Sequence, residues 1–244
     1  MAPSNRRDSP QQENDSLALV AASVIACRKC PRLAAWREQV AREKRAAYRE
    51  EEYWGKPVPG FGDPHAEVLV VGLAPAAHGG NRTGRIFTGD RSGDWLYGAL
   101  HRAGFANQPK STHRNDGLRL TGTYVTAVVR CAPPGNKPAP EERDNCLPYL
   151  LREIALLTDV RVIVCLGAYA LDGVSRVLRL RPRPKFAHGR EIQAPNRRTV
   201  ICSFHPSQQN TFTGKLTEPM LDAVFQRTRE VAGRGDARCP TPGT

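Results

Sequence analysis

The stretch EVLVVGLAPAAHGGNRTGRIFTGDRSGDWLYGALHRAG, residues 67–104, decides how this chain folds. Residues 67–73 are a short, Val-rich apolar run, the pattern of a strand buried on both faces. An irregular, glycine-rich loop follows over 74–91, and a helical pattern takes over near 92–104. Strand, loop and helix in that order open a βαβ unit, whose parallel strands lie in a sheet covered by helices on both faces.

The same order repeats downstream. Apolar runs at 122–130 (GTYVTAVVR), 161–166 (RVIVCL) and 199–204 (TVICSF) read as three more strands, with helical patterns near 141–157, 168–179 and 215–232. Upstream, Leu17 to Ala26 suits an apolar helix, and Pro31, just after Cys27-Arg28-Lys29-Cys30, suits the start of a charged one running to about Tyr53. Residues 1–15 and 233–244 are rich in Pro, Gly, Ser, Gln and charge, with little to bury. Both are expected to be disordered tails on a single domain spanning 16–232.

Charge narrows the partner. Thirty-six Lys and Arg against 24 Asp and Glu leave a formal net charge of +12, spread along the whole chain, which suits a polyanion such as nucleic acid. No run approaches the roughly 18 apolar residues of a membrane span, and Met1 to Ser16 has no apolar signal-peptide core, so no membrane partner and a cytoplasmic location are expected. In that reducing setting paired cysteines point to metal or redox chemistry rather than disulfides. Cys27-x2-Cys30 and Cys131-x14-Cys146 make two pairs, and their spacing leaves a structural zinc and a [4Fe-4S] cluster both open. Cys165 and Cys202 sit inside apolar strands as core residues.

Three unusual segments, 74–91, 131–138 and 205–214, each lie just past the carboxyl end of a strand, where open α/β sheets bind ligands. In the first, Gly79 and Gly84 have P-loop spacing, but Arg85-Ile86 stand where that motif needs Lys followed by Ser or Thr. This disfavours a nucleoside triphosphatase. Small residues at 74–77 let the backbone close around a flat ligand, Phe87 is available to stack, and Asp90 to hold water, with a helix cap before Ser92-Gly93-Asp94 as the plainer reading of Asp90. In the last segment His205, stiffened by Pro206 and followed by small polar residues, is placed to donate a hydrogen bond.

At these residues the chain resembles the uracil-DNA glycosylase superfamily, and within it the type 5 iron-sulfur family. The resemblance covers roughly residues 23–230 and rests on the four cysteines, on GLAPAAHGGNRTGRIFTGD and on the segment beginning HPS. It implies an α/β fold, a three-layer α-β-α sandwich with a central four-stranded, mainly parallel sheet. It also implies a structural [4Fe-4S] cluster on Cys27, Cys30, Cys131 and Cys146, and uracil-containing DNA as partner of a base-excision enzyme; a monomer is expected.

One departure from the wider superfamily bears on mechanism: many members carry Asp or Asn to position water where this chain has Ala76. A dissociative route is therefore expected, with an oxocarbenium-like sugar and a base anion stabilised by His205. Asp90 and Asn136 are the candidates to orient water, and Ala74, Ala76 and Phe87 to hold the flipped base. Gln208, Gln209 and Asn210 are the expected minor-groove wedge, while Arg82, Arg85, Arg91 and Lys215 are expected to hold phosphates. So small a pocket lining, with Ala77, suggests a pocket that rejects few altered bases, and the resemblance likewise implies a broad base range including hypoxanthine. The chief rival is a non-catalytic, zinc-stabilised nucleic-acid-binding protein; a phosphate-handling α/β enzyme using residues 79–84 comes third.

Overall fold

Three strands in which every residue is buried stand at the centre of the computed structural model, which describes residues 15–233: β2 (Val68–Gly72), β3 (Thr123–Ala127) and β4 (Val162–Leu166). A fourth buried strand, β6 (Arg198–Ser203), joins them, and all four run parallel. Two antiparallel strands close the edges, β1 (Phe61–Gly62) against β3 and β5 (Glu191–Ala194) against β6, giving the order β1-β3-β2-β4-β6-β5. The central four are the strands read from the apolar runs. The two edges escape that reading because β1 has two residues and β5, Glu-Ile-Gln-Ala, alternates exposed with half-buried positions.

The strand period of two sends successive side chains to opposite faces. Val68 and Val70 enter one core with Leu96, Leu100, Leu221 and Phe225, which come from α4 (Arg91–Arg102) and α8 (Glu218–Val231). Leu69 and Val71 enter the other with Leu150 and Ile154 of α5 (Pro140–Leu156) and Leu171 and Val174 of α6 (Ala168–Val177). These are the three layers expected. Outside them, α1 (Leu17–Ile25) lays Val20 and Val24 on Tyr149 of α5.

The charged helix α2 (Pro31–Glu43) stops ten residues short of the expected Tyr53. Lys44 turns to φ 54°, in the left-handed region that a helix cannot pass through, and its N–H closes on Val40 O. Two short helices near the sheet's carboxyl edge were also unforeseen, α3 (Gly80–Thr83) and α7 (Gln208–Phe212). The stretches expected as tails lie, but for Asp15 and Gly233, outside the described residues.

Candidate active site

All four parallel strands end at one edge, and there the three loops singled out in the sequence converge. Leu73, Ala74 and Ala76 after β2, Asn136 after β3, and His205, Ser207 and Gln208 after β6 line one cavity of about 400 Å³. Phe87, Asp90, Arg91 and Ser92, from the return of the first loop into α4, complete it. Leu73, Ser92 and Ser207 were not singled out from sequence, since nothing distinguishes them from ordinary loop residues.

Phe87 and His205 face each other in this cavity, ring centroids 5.7 Å apart and planes tilted by 33°. The Phe87 backbone adopts φ 51°, and its ring lies over Gly72, where a Cβ would stand 2.6 Å from Cζ. The last residue of β2 must therefore lack a side chain for the ring to reach the pocket. Burial pushes the His205 imidazole down to about 4, so near pH 7 it is neutral and carries a single N–H donor. Its carbonyl accepts from Asn210 Nδ2 at 2.8 Å, which ties the strand end to α7.

Asp90 caps a helix, the plainer of the two readings weighed for it, and it also faces the cavity. It is the N-cap of α4, its Oδ1 accepting from Gly93 N–H at 3.0 Å. A Cβ on Gly79 would stand 1.9 Å from Asp90 Oδ2, so the loop passes the carboxyl only because position 79 is glycine. Burial raises the Asp90 pKa, opposed by the N–H groups of Gly93 and Ser92.

Asn136 is exposed at φ 57° in a 3-10 turn over Pro134–Asn136. Gln208 and Gln209 are exposed at the start of α7, whose cap is Ser207 Oγ accepting from Asn210 N–H. Exposed Arg91 donates to Thr211 Oγ1 at 3.0 Å and lies 4.3 Å over the ring of Phe212, and exposed Lys215 lies 4.9 Å from the Phe204 ring centroid.

Arg82 and Arg85 occupy quite different places from Arg91, and the expectation that they hold phosphate is corrected. Arg85 is 3% exposed and donates to Asp116 Oδ2 at 2.6 Å, Ser111 Oγ at 2.7 Å and Thr88 Oγ1 at 3.0 Å. Burial alone would raise Asp116, but Arg85 with the Leu118 and Thr112 N–H groups brings it down to about 2. Arg82 is 7% exposed, stacked 3.8 Å from the Tyr48 ring centroid and bonded to Glu51, His78 O and Gly89 O. Each guanidinium has its donors spent inside the protein, so both brace the loop instead of facing a ligand. Gly79 and Gly84 cap the buried single turn α3, which leaves no open cradle for a phosphate.

The four paired cysteines come together beside this edge. Cys27 follows α1, Cys30 is the N-cap of α2, Cys131 lies just beyond β3 and Cys146 sits within α5. Cys131 and Cys146 are buried and Cys27 and Cys30 partly so. Burial raises the Cys131 and Cys30 thiols and pushes Cys146 up to about 12; Cys27 and Cys30 add to the rise at Cys131, and Cys131 and Cys30 to that at Cys146. Arg37 Nη1 donates to Cys131 Sγ at 3.1 Å, and Asn145 Nδ2 approaches Cys30 Sγ at 3.7 Å. Among the described residues no three His, Cys, Asp or Glu side chains are gathered around a single-ion position. Cys165 and Cys202, paired across β4 and β6, are fully buried core residues.

A parallel sheet that delivers an aromatic ring, a neutral histidine and a half-buried carboxyl to one edge defines an α/β protein with a ligand-sized pocket there. The family model described as the uracil DNA glycosylase superfamily matches residues 59–229, and the chain belongs to that superfamily. It is 50% identical over 221 residues to a type-5 uracil-DNA glycosylase of Mycobacterium bovis, covering 89% of this chain and 82% of that one. It is 51% identical over 212 residues to a type-5 uracil-DNA glycosylase of Thermus thermophilus, 86% of this chain and 96% of the other. Likeness to a type-4 uracil-DNA glycosylase of Pyrobaculum aerophilum is weaker and shorter, 36% over 113 residues, 46% of this chain and 50% of that one. These matches favour the type 5 family and disfavour the non-catalytic zinc-protein reading.

Proposed function

We propose that this protein is a monofunctional DNA glycosylase that hydrolyses the N-glycosidic bond of uracil in DNA, with hypoxanthine as a further substrate. Family membership and half identity with proteins named type-5 uracil-DNA glycosylase support the activity. The observation that carries it at the site is Phe87 facing a neutral His205 in a cavity whose β2 end is lined by Ala74 and Ala76.

A base swung out of the duplex stacks on Phe87, in reach of Ala74 and Ala76. The bond from C1′ to the base nitrogen breaks with its electron pair leaving on the base, and C1′ becomes oxocarbenium-like. The His205 N–H donates to the base oxygen on which the charge collects, in a site where little water competes. Water oriented by Asp90 and Asn136 adds its oxygen to C1′, and the proton it loses ends on the released base. Arg91 and Lys215 hold flanking phosphates, and Gln208, Gln209 and Asn210 occupy the gap the base leaves.

Cys27, Cys30, Cys131 and Cys146 are assigned to a structural [4Fe-4S] cluster. The donor set fits: four thiols from three separate parts of the chain, two of them buried, with Arg37 and Asn145 N–H groups aimed at the sulfurs. When bound, the cluster would cross-link the α1–α2 turn to the end of β3 and to α5. Iron and acid-labile sulfide in brown protein are expected; colourless protein holding zinc alone would overturn the assignment. A cytoplasmic monomer acting as one domain over 16–232 completes the reading.

The first test is single-turnover cleavage of an end-labelled duplex carrying one uracil, developed with alkali. His205→Ala is expected to lose on the order of a hundredfold or more in rate. No breaks with wild-type protein, while salt-sensitive binding persists, would return the non-catalytic reading.

A further inference from the structure

The chain between α6 and β6 belongs to none of the three pocket loops, yet it reaches the same edge. The strand β5 begins at Glu191 opposite Ile201, near the carboxyl end of β6, so the residues just before it emerge beside the cavity on its β6 side. His188 fastens them there. Its ring stacks on that of Phe204, 5.0 Å between centroids and 14° between planes, and its Nδ1 accepts from Phe204 N–H at 3.1 Å. Phe204 directly precedes His205. Gly189 N–H adds a bond of 2.8 Å to Cys202 O.

This segment is strongly and one-sidedly charged. Between Gly173 and Arg190 there is no Asp or Glu, and Arg183, Lys185 and Arg190 are all exposed. The flanking carboxylates are already engaged: Asp172 by Arg143 and Arg176, with Arg183 at 3.4 Å, and Glu191 by Arg227 at 2.7 Å. Neither Lys185 nor Arg190 forms an ion pair among the described residues, and Arg190 Nη1 donates to Lys185 O at 2.9 Å, which holds the two cations close. Lys215, 4.9 Å from the centroid of the same Phe204 ring, adds a further cation beside the arm.

We propose that residues 183–190 form a fourth DNA-contacting arm, in which Arg183, Lys185 and Arg190 hold backbone phosphates flanking the flipped nucleotide and the His188–Phe204 stack keeps the arm in register with His205. The proposal rests on the glycosylase reading above. Exposed cations on a segment that carries no carboxylate of its own, fixed beside a base pocket, meet the requirement for phosphate contacts, which position a duplex without reading its sequence.

The probe is a long duplex containing 2′-fluorodeoxyuridine, whose glycosidic bond resists hydrolysis, titrated over a range of salt. The triple variant Arg183→Gln, Lys185→Gln, Arg190→Gln is expected to bind it on the order of tenfold to a hundredfold more weakly, with a log–log salt slope shallower by about 2 to 3. A second triple, Arg119→Gln, Arg161→Gln, Arg197→Gln, removes the same charge from exposed positions just before β3, β4 and β6, at the opposite edge. It is expected to keep the wild-type slope, and melting curves of both triples verify the fold. An unchanged slope in the first triple, or an equal fall in both, would overturn the arm. Failure of the glycosylase reading shows separately, as wild-type protein that does not cleave a uracil duplex.

Discussion

Gly72 and Phe87 are fitted to each other, with room between the end of β2 and the Phe87 ring for a hydrogen and for no carbon: a Cβ on Gly72 would lie 2.6 Å from Cζ and 2.7 Å from Cε2. The Gly72→Ala variant must push the ring toward the cavity that His205 shares. We expect a loss of about 1–3 kcal/mol in stability from overpacking, and a fall of roughly tenfold or more in single-turnover cleavage from misplaced stacking. Melting and rate measured on the same preparation decide this, and an unchanged rate would detach Phe87 from base stacking.

His205 is held neutral by burial, its pKa lowered from 6.5 to about 4. Between those values the unfolded chain binds more protons than the folded one, so stability drops as pH falls through that window and is independent of this residue above it. The full effect is at most about 3 kcal/mol. His205→Gln should flatten that part of the acid limb in thermal melts. In wild type the imidazole NMR signals should not titrate between about pH 6 and 8, and a titration midpoint near 6.5 would refute the neutral donor.

Asp90 separates into cap and water ligand by choice of substitution. Asn caps a helix as well as Asp does, so Asp90→Asn should keep the melting temperature while slowing cleavage. Asp90→Ala should lose about 1 kcal/mol as well as rate. If Asp90→Ala combined with Asn136→Ala left single-turnover rates unchanged, neither residue would orient the water.

Arg85 and Asp116 form a buried ion pair, 3% and 6% exposed. Removing the cation strands the carboxylate, so Arg85→Met should cost about 3–5 kcal/mol and leave the salt dependence of DNA binding as in wild type. The depressed Asp116 pKa stabilises the fold above about 3.8, an increment lost as pH falls toward 2. Loss of a salt-slope increment with unchanged melting would instead return Arg85 to the phosphate contacts.

Much of the site was legible because its chemistry is local. A loop after a parallel strand reaches the ligand edge wherever the sheet packs, so Ala74, Ala76, Phe87, Asp90, Asn136 and His205 could be grouped before any coordinates, and all six line one cavity. The basic arm at 183–190 was not grouped with them. Its placement depends on β5, a strand without an apolar run, although the acid-free stretch from 173 to 190 was a signal open to reading.

The sequence by itself determined the four central strands, because burial on both faces demands an unbroken apolar run, and it determined the paired cysteines and the three segments at the carboxyl edge. Tertiary structure alone decided which cations turn inward. Arg82, Arg85 and Arg91 are alike as letters, but Arg85 meets Ser111 and Asp116, and Arg82 meets Glu51, all distant in the chain, whereas Arg91 meets Thr211 and two aromatic faces at the surface. A guanidinium is buried only where donors find enough acceptors to replace water, and those acceptors are assembled by the fold.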